Sequence, residues 1–360
     1  MARAVDVPAP SLRQRPWVRR AAPLLLVVLL AVLPLVLPES TNETLARIGV
    51  FAVAVLGLNV VMGYTGQVSL GQIFFLGLGA YITGYGVQQD WNVVLVFLLA
   101  CLGAALAGLV VALAAARLGG LAIAMVTIAL PIVGVPLAKR LSDYTGGSQG
   151  LSARFADAPE ATGLYDDQWQ LYVVLVIGGI VFLLTRSLVR GKFGRAFAIV
   201  KGNEAVAASM GISPYRYKVL AFTIASLIGG VSGFLYMFVI QYTSPETMSF
   251  GHSIELVAAM VIGGAGSIVG SLLGGAYYVL VPELTNQVDS SLTALLQGVV
   301  LLAVLFVLPG GLASLVRRLG RGRRRLRAEP GPGASPTTPL STAGSATATE
   351  EPGTERRGHA

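Results

Sequence analysis

The stretch SIELVAAMVIGGAGSIVGSLLGGAYYVLV, residues 253–281, carries a single charge, Glu255, and is interrupted near its middle by Gly263, Gly264 and Gly266 beside Ser267. A bilayer is crossed by a helix of about 20 apolar residues, so this stretch is too long for one pass and too rich in glycine at its centre. It predicts two helices joined by a glycine break. The first piece, residues 254–264, spans only about 16 Å at 1.5 Å per residue, which makes it a half-helix.

The rest of the chain has the same character. Of 360 residues, 54% are hydrophobic and 12% charged, with a mean hydropathy of +0.71. A soluble domain carries about a quarter charged residues, so a soluble globule is excluded. Apolar stretches run over 21–37, 45–62, 73–88, 92–116, 119–138 and 169–185, then over 219–241, 253–281 and 292–309. Barrel strands would alternate in segments of about ten residues, and these do not. Residues 21–37 follow Arg19 and Arg20 like a signal-peptide core, but Pro34, Pro38 and Glu39 stand where a small-residue cleavage site belongs. They read as a first span.

The net charge of +8 is informative by position. Of 26 Lys and Arg, five lie in residues 1–20, seven in 186–218 and nine in 317–360. Basic blocks flank spans on the cytoplasmic side. With the N terminus inside, six passes return the chain to the basic block at 186. Reaching the Arg-rich tail on the same side then needs an even number of passes, which the division of 253–281 supplies. The expectation is an all-α polytopic membrane protein of about ten transmembrane helices, including broken or half-helices. An echo between GQVSLG at 66–71 and GAGSIVG at 264–270 points to an internal repeat.

In this arrangement residues 1–20 are a cytoplasmic basic N-terminus, 21–316 the transmembrane domain and 317–360 a cytoplasmic tail too polar and biased to fold. The tail's Arg cluster reads as an anchor on anionic lipid and not as a nucleic-acid site. The loop 139–168 falls outside with Asp143, Asp157, Glu160, Asp166 and Asp167, while Lys139, Arg140 and Arg154 run against the rule. In all, 22 of the 26 bases are inside, Arg117 among them.

Several function classes drop out. Cys101 is the lone cysteine, and His252 and His359 lack metal-ligand spacing, so no disulfide, zinc or other metal site is expected. Arg47, Lys218 and Glu255 lie near span ends, where a charge can snorkel. Span interiors are otherwise uncharged, which disfavours ion-coupled pumping. No phosphate-binding loop is present, because Gly191-Lys192-Phe193 lacks the Ser or Thr. Ser69 has no candidate base, so no enzyme is expected. Energy for uphill movement must come from a partner. Gly229 with Gly233, and Gly266 with Gly270 and Gly274, read as helix-packing pairs.

Two segments carry the functional interest. Residues 63–72, GYTGQVSLGQ, are polar but uncharged between two apolar runs. They read either as backbone unwound within the protein, able to meet a solute, or as a polar loop at the cytoplasmic surface. In the block 186–218, Gly202-Asn203 opens a short helix with Asn203 as N-cap and Glu204 in the first turn. Gly211 closes it and Pro214 prevents its continuation. The helix carries Ala205, Val206, Ala207, Ala208 and Met210. Two turns are marginal alone, so this is either an ordinary interfacial loop or a docking helix for a cytoplasmic motor.

Four blocks then stand out: LNVVMGYTGQVSLGQIFFLGLGAYITG at 58–84, TGGSQGLS at 145–152, RGKFGRAFAIVKGNEAVAASMGISPYRYKVLAF at 190–222 and YTSPETMSFGHSIELVAAMVIGGAGSIVGSLLGG at 242–275. In this order they resemble the branched-chain amino acid ABC permease family, its LivM-type subunit more than its LivH-type partner. The resemblance extends over about 45–315. It implies a multi-pass subunit of the bacterial cytoplasmic membrane, with both termini cytoplasmic, that itself holds no cofactor. Its partners would be a second, unlike permease subunit of LivH type, two cytoplasmic ABC ATPases that bind ATP and magnesium, and an extracytoplasmic solute-binding protein. Its cargo would be leucine, isoleucine, valine or related small solutes.

The resemblance also implies roles for residues. Asn203, Glu204, Ala205, Val206, Ala208, Met210 and Gly211 would form the ATPase coupling helix, although Gly211 comes one position later than in other importers' loops. Gly66, Gln67, Ser69, Gly71 and Gln72, with Gly264 and Ser267 of the second break, would line the substrate path. Thr145, Gly146, Gly147 and Ser148 would lie on the outer face. The alternatives are the same architecture importing urea, a short amide, a sugar or another small polar solute, and a stand-alone channel for a small neutral solute.

Overall fold

A computed structural model of the chain describes residues 32–115, 120–155, 158–159 and 163–288, with isolated positions between 298 and 314. The basic N-terminus, residues 21–31 of the first predicted span, Arg117, Asp157, Glu160, most of the span 292–309 and the tail 317–360 lie outside the described residues.

The described elements are almost wholly helical. Helix α1 (Glu39–Leu58) runs on into a π-helical turn, Asn59–Tyr64, and is followed by α2 (Gln72–Gln88), α3 (Val93–Ala115), α4 (Gly120–Arg140) and the short α5 (Ser142–Thr145). After them come α6 (Asp166–Arg190), α7 (Lys192–Gly202), α8 (Glu204–Ser209), α9 (Pro214–Ile240), α10 (Phe250–Gly263) and α11 (Ile268–Val288). The strands described are two residues each, Leu151–Ser152 and Tyr242–Thr243, paired antiparallel with Leu151 opposite Thr243. Six of the described helices are long and apolar enough to cross a membrane. The protein is an all-α polytopic membrane protein.

The 253–281 stretch is divided as its glycines predict. Helix α10 stops at Gly263, Gly264 and Gly266 take positive φ values of 118° and 72°, and α11 starts at Ile268. At 14 residues α10 covers about 21 Å, short of a bilayer core of about 30 Å.

Two boundaries differ from expectation. Helix α6 continues through Arg186 to Arg190, since charge at a helix end does not stop the backbone and Gly191, extended at ψ −164°, does. The basic block also contains α7, which hydropathy alone passes over. Its Gly194, Ala196, Phe197 and Val200 are buried at helical spacing, while Lys192 and Arg195 stay exposed.

Helix α9 is the central post. Its 27 residues reach about 40 Å from α8 at one end to the two-residue strand pair at the other. Helices α2 and α3 lie on it almost backbone to backbone. A Cβ placed at Gly79 would stand 2.7 Å from the Gly230 carbonyl oxygen, and one at Gly230 would stand 2.5 Å from that of Ala100. Gly233 abuts the backbone of Leu76 and Ala80. Around α11, a Cβ placed at Gly274 would stand 2.6 Å from Ala259 O of α10, and one at Gly275 2.5 Å from Ala52 N of α1. Gly229, Gly233, Gly270 and Gly274 are packing positions, as their spacing predicts, whereas Gly266 falls in the break before α11 at φ +72°.

The outward faces are apolar. Val94, Leu98, Leu102, Leu106 and Val110 form an exposed stripe at every fourth residue of α3, and Val176, Ile180, Leu183 and Leu184 are exposed on α6. At the strand-pair end Lys139, which runs against the charge rule, pairs with Glu246 at 2.9 Å.

Because Gly233 meets backbone and not a yielding side chain, Gly233→Val should destabilise the detergent-solubilised protein by about 3 kcal/mol. Gly179→Ala has nothing within 4 Å to meet, so its midpoint should stay at or slightly above wild type. Thermal unfolding followed by fluorescence-detected size exclusion separates the two, and equal loss for both would refute this packing.

Candidate functional site: two helix breaks and a capped helix

The first break begins where α1 loosens into its π turn. The end of a helix leaves carbonyls without intrahelical donors. Here Thr65 Oγ1 donates to Val61 O at 2.6 Å, Gln67 N donates to the same oxygen at 3.2 Å, and Lys201 Nζ donates to Gly63 O at 2.7 Å. Gly66 then reverses the chain at φ +73°. Onward the segment alternates, with Thr65, Gln67 and Ser69 buried and Gly66 and Val68 exposed.

The buried members are bonded. Gln67 Nε2 donates to Thr65 Oγ1 at 2.8 Å, Leu70 N to Thr127 Oγ1 at 3.2 Å, and Gln72 Nε2 to Ala225 O near the middle of α9 at 3.0 Å. Gly71 packs on Leu130. Residues 63–72 thus form a break packed on one side, with Gly66 and Val68 exposed on the other.

The second break meets the first through Asn59. Its buried side chain donates from Nδ2 to Ser267 O at 2.9 Å and to Ser271 Oγ at 3.0 Å, and its Oδ1 accepts from Gly266 N at 2.7 Å. The backbone of Gly63 lies so close that a Cβ there would stand 2.5 Å from Gly266 N. Ser267 is thus joined to the end of α1, while Leu70 and Gly71 meet α4 and Gln72 meets α9.

Thr145 to Ser148 are elsewhere, at the strand-pair end. Thr145 Oγ1 caps α4 by donating to Ala138 O (2.6 Å), Gly146 and Gly147 take φ +70° and +60°, and Ser148 is exposed. The path residues expected from the sequence therefore occupy two ends and do not form one pocket. Near the same end the buried Tyr81 hydroxyl, packed with Ala138, Leu151 and Met248, and the buried Thr243 Oγ1 have no hydrogen-bond partner among the described residues.

The capped helix forms as its sequence predicts. Asn203 Oδ1 accepts from Ala205 N (2.9 Å) and Val206 N (3.2 Å). At the other end Gly211 takes φ +77° and Ile212 N reaches back to Ala207 O at 2.9 Å, a left-handed helix closure. Ala207 is buried, whereas Val206 and Met210 are 49% and 63% exposed. Ala205 and Ala208 are exposed beside them. Lys218 departs from expectation. It does not snorkel at a span end but is turned inward, its side chain 7% exposed, and pairs with Glu204 at 2.6 Å.

Asn59, Thr127, Ser271 and Lys201 were not among the expected site residues. A lone Asn in the apolar run 45–62, a lone Thr in 119–138 and a lone Ser in 268–281 are the sequence signals for three of them. Among the described residues no group of three or more His, Cys, Asp or Glu converges to hold a metal.

A family model for "Branched-chain amino acid transport system / permease component" matches residues 40–305, a range that includes both breaks and the capped helix. The chain belongs to that permease family. Among curated relatives of this permease, the high-affinity branched-chain amino acid transport system permease protein LivM of Escherichia coli K12 is 28% identical over 81% of this chain and 74% of its own length. The autoinducer 2 import system permease protein LsrC of Klebsiella pneumoniae is 31% identical over 52% of this chain and 56% of its own. The ribose import permease protein RbsC of Escherichia coli K12 is 25% identical over 69% and 80%. No solved structure matches.

The inward Lys218 gives the permease a testable joint. With Glu204 removed, a buried ammonium loses its counter-charge, but Glu204 is 55% exposed and solvent screens much of the loss. A double-mutant cycle of Glu204→Ala and Lys218→Met should therefore give a coupling of about 1 kcal/mol in unfolding midpoints. A coupling near zero would mean the pair contributes nothing.

Proposed function

We propose that this permease is the membrane subunit of an ATP-driven, binding-protein-dependent importer for branched-chain or similar hydrophobic amino acids, working by alternating access. The observation that carries the proposal is the 204–209 helix, capped at both ends, tied to the central post by Glu204–Lys218, and presenting Val206 and Met210 outward. A two-turn helix is too short to persist for its own sake. Its caps hold a small apolar patch that fits a groove on a cytoplasmic ATPase. ATP and magnesium are bound by that partner, and the chemistry of hydrolysis is the partner's.

The assembly has a second, unlike permease subunit, two ATPases and an extracytoplasmic binding protein. The basic-block end faces the cytoplasm and the Thr145 to Ser148 end faces the binding protein. Gly66, Gln67, Ser69, Gly71, Gln72, Gly264 and Ser267 border the route. An uncharged route suits a binding protein that carries the selectivity. It passes a zwitterion with low affinity and leaves discrimination to the receptor. The relatives named for ribose and autoinducer 2 import favour a second reading, a sugar-like cargo on the same architecture.

Met210→Asp places a charge in the apolar patch. In cells with the complete system, labelled leucine uptake should fall at least about tenfold and the ATPases should no longer copurify, a loss on the scale of an interface anchor. Survival of both uptake and copurification would refute the docking role. Uptake of labelled ribose but not leucine by wild type would move the substrate to the second reading. Solute flux by the chain reconstituted alone would make it a channel.

A further inference from the structure

We propose that Lys201 is a positioning residue that transmits movement of the capped helix to both membrane breaks, with Asn59 holding the breaks together so that they shift as one unit. The proposal rests on the coupling role of α8 argued above. It concerns what lies between that helix and the membrane interior.

The linkage begins with a short connection. Helices α7 and α8 share Asn203 as junction, its N–H donating back to Ile199 O at 3.1 Å while its own carbonyl accepts from Ala207 N at 3.0 Å. With no slack residue between them, a displacement of α8 moves the last turn of α7, where Lys201 sits. Lys201 Nζ donates to Gly63 O at 2.7 Å, and its Cγ lies 3.0 Å from where a Gly66 Cβ would be. A cation on a terminal carbonyl also suits the negative end of the α1 dipole.

Gly63 belongs to the π turn, a rare helical form that concentrates at functional sites. Gly63 abuts Gly266 directly, and Asn59, four residues earlier in the same turn, holds Gly266 N, Ser267 O and Ser271 Oγ. Pulling on Gly63 moves the α10–α11 break because Gly266 N and the Asn59 amide that holds it both lie against Gly63.

The two ends of the linkage differ in kind. Asn59 is buried and bonded through both amide atoms, so it serves the fold as well as the linkage. Lys201 is exposed along much of its length, so its loss should spare folding and sever transmission. Glu204–Lys218 fixes the other side of the α7–α8 hairpin to α9. The hairpin thus has one attachment to the post and one to the moving break.

The test uses the assembled transporter in nanodiscs, with Cys101→Ala as background and Ala265→Cys, an exposed position inside the second break, as reporter. With Lys201 present, adding ATP should change the labelling rate of Ala265→Cys by a thiol reagent severalfold, by about fivefold or more for a coupled site. In Lys201→Met the ATPases should still copurify and hydrolyse ATP, while the labelling response disappears and uptake per ATP falls about tenfold. Lys201→Arg, which also donates to a carbonyl, should restore both.

A Lys201→Met transporter with a normal labelling response and uptake ratio overturns the proposal. So does an Ala265→Cys reporter that ignores ATP when Lys201 is intact, or loss of ATPase binding in Lys201→Met, which would make Lys201 a docking residue. Failure of the ATPases to associate with the unsubstituted chain is a different result, because it defeats the docking role of α8 itself.

Discussion

A helix that ends inside a membrane protein leaves backbone groups that lipid cannot satisfy, and in this chain one carboxamide just past the end of α1 binds the break between α10 and α11. Asn59 supplies two donors and an acceptor to Gly266, Ser267 and Ser271. A hydroxyl could bridge only part of that set, and a carboxylate would bury charge beside an apolar core at a cost of several kcal/mol. The amide is the side chain that is polar enough to bond the second break from α1 and neutral enough to be buried. The placement of α10 and α11 against α1 follows from it, since the bonded atoms must sit within about 3 Å of one another.

Apolar burial does not hold such a bundle together, because lipid tails solvate Leu as well as another helix does. The exposed stripes on α3 and α6 are consistent with that: apolar side chains point outward at no cost, and glycine and alanine line the seams where the helix backbones meet. Gly79, Gly230 and Gly233 let α2, α3 and α9 approach until backbones touch. Close approach does two things at once. It multiplies dispersion contacts along the seam, and it locks α2 and α3 against α9.

The legible and illegible parts of the sequence divide along physical lines. Glycine runs and Asn-cap patterns act locally, so the break at Gly263 to Ser267 and the capped helix at 203 to 211 could be read from a few neighbouring residues. Contacts between residues 59 and 267 leave no local trace. The amphipathic α7 was hidden by its charge, which marks it as too polar to span and so draws attention from its buried Phe197 and Val200. Lys218 was misjudged for a related reason: a base near a span end usually snorkels, and only the position of Glu204 across the hairpin turns it inward. The residues 63–72 could be seen as polar and glycine-rich, but whether they were solvated depended on Thr127 and Ala225, both far along the chain.

The distribution of charge takes on a more specific meaning from these contacts. The seven bases of 186–218 first serve as a block that orients the chain, and any of them could do that equally well. Two are set apart by what they touch, Lys218 on Glu204 and Lys201 on a helix-end carbonyl. Both sit where the polar hairpin joins the uncharged interior. A neutral interior has no ionic handle by which an outside event can act on it, and its breaks are held by backbone groups, amides and hydroxyls. A cation bonded to a backbone carbonyl is the least expensive handle available. It grips the backbone directly, keeps its stem among protein atoms and leaves its charge at the edge of the bundle, where water still reaches it.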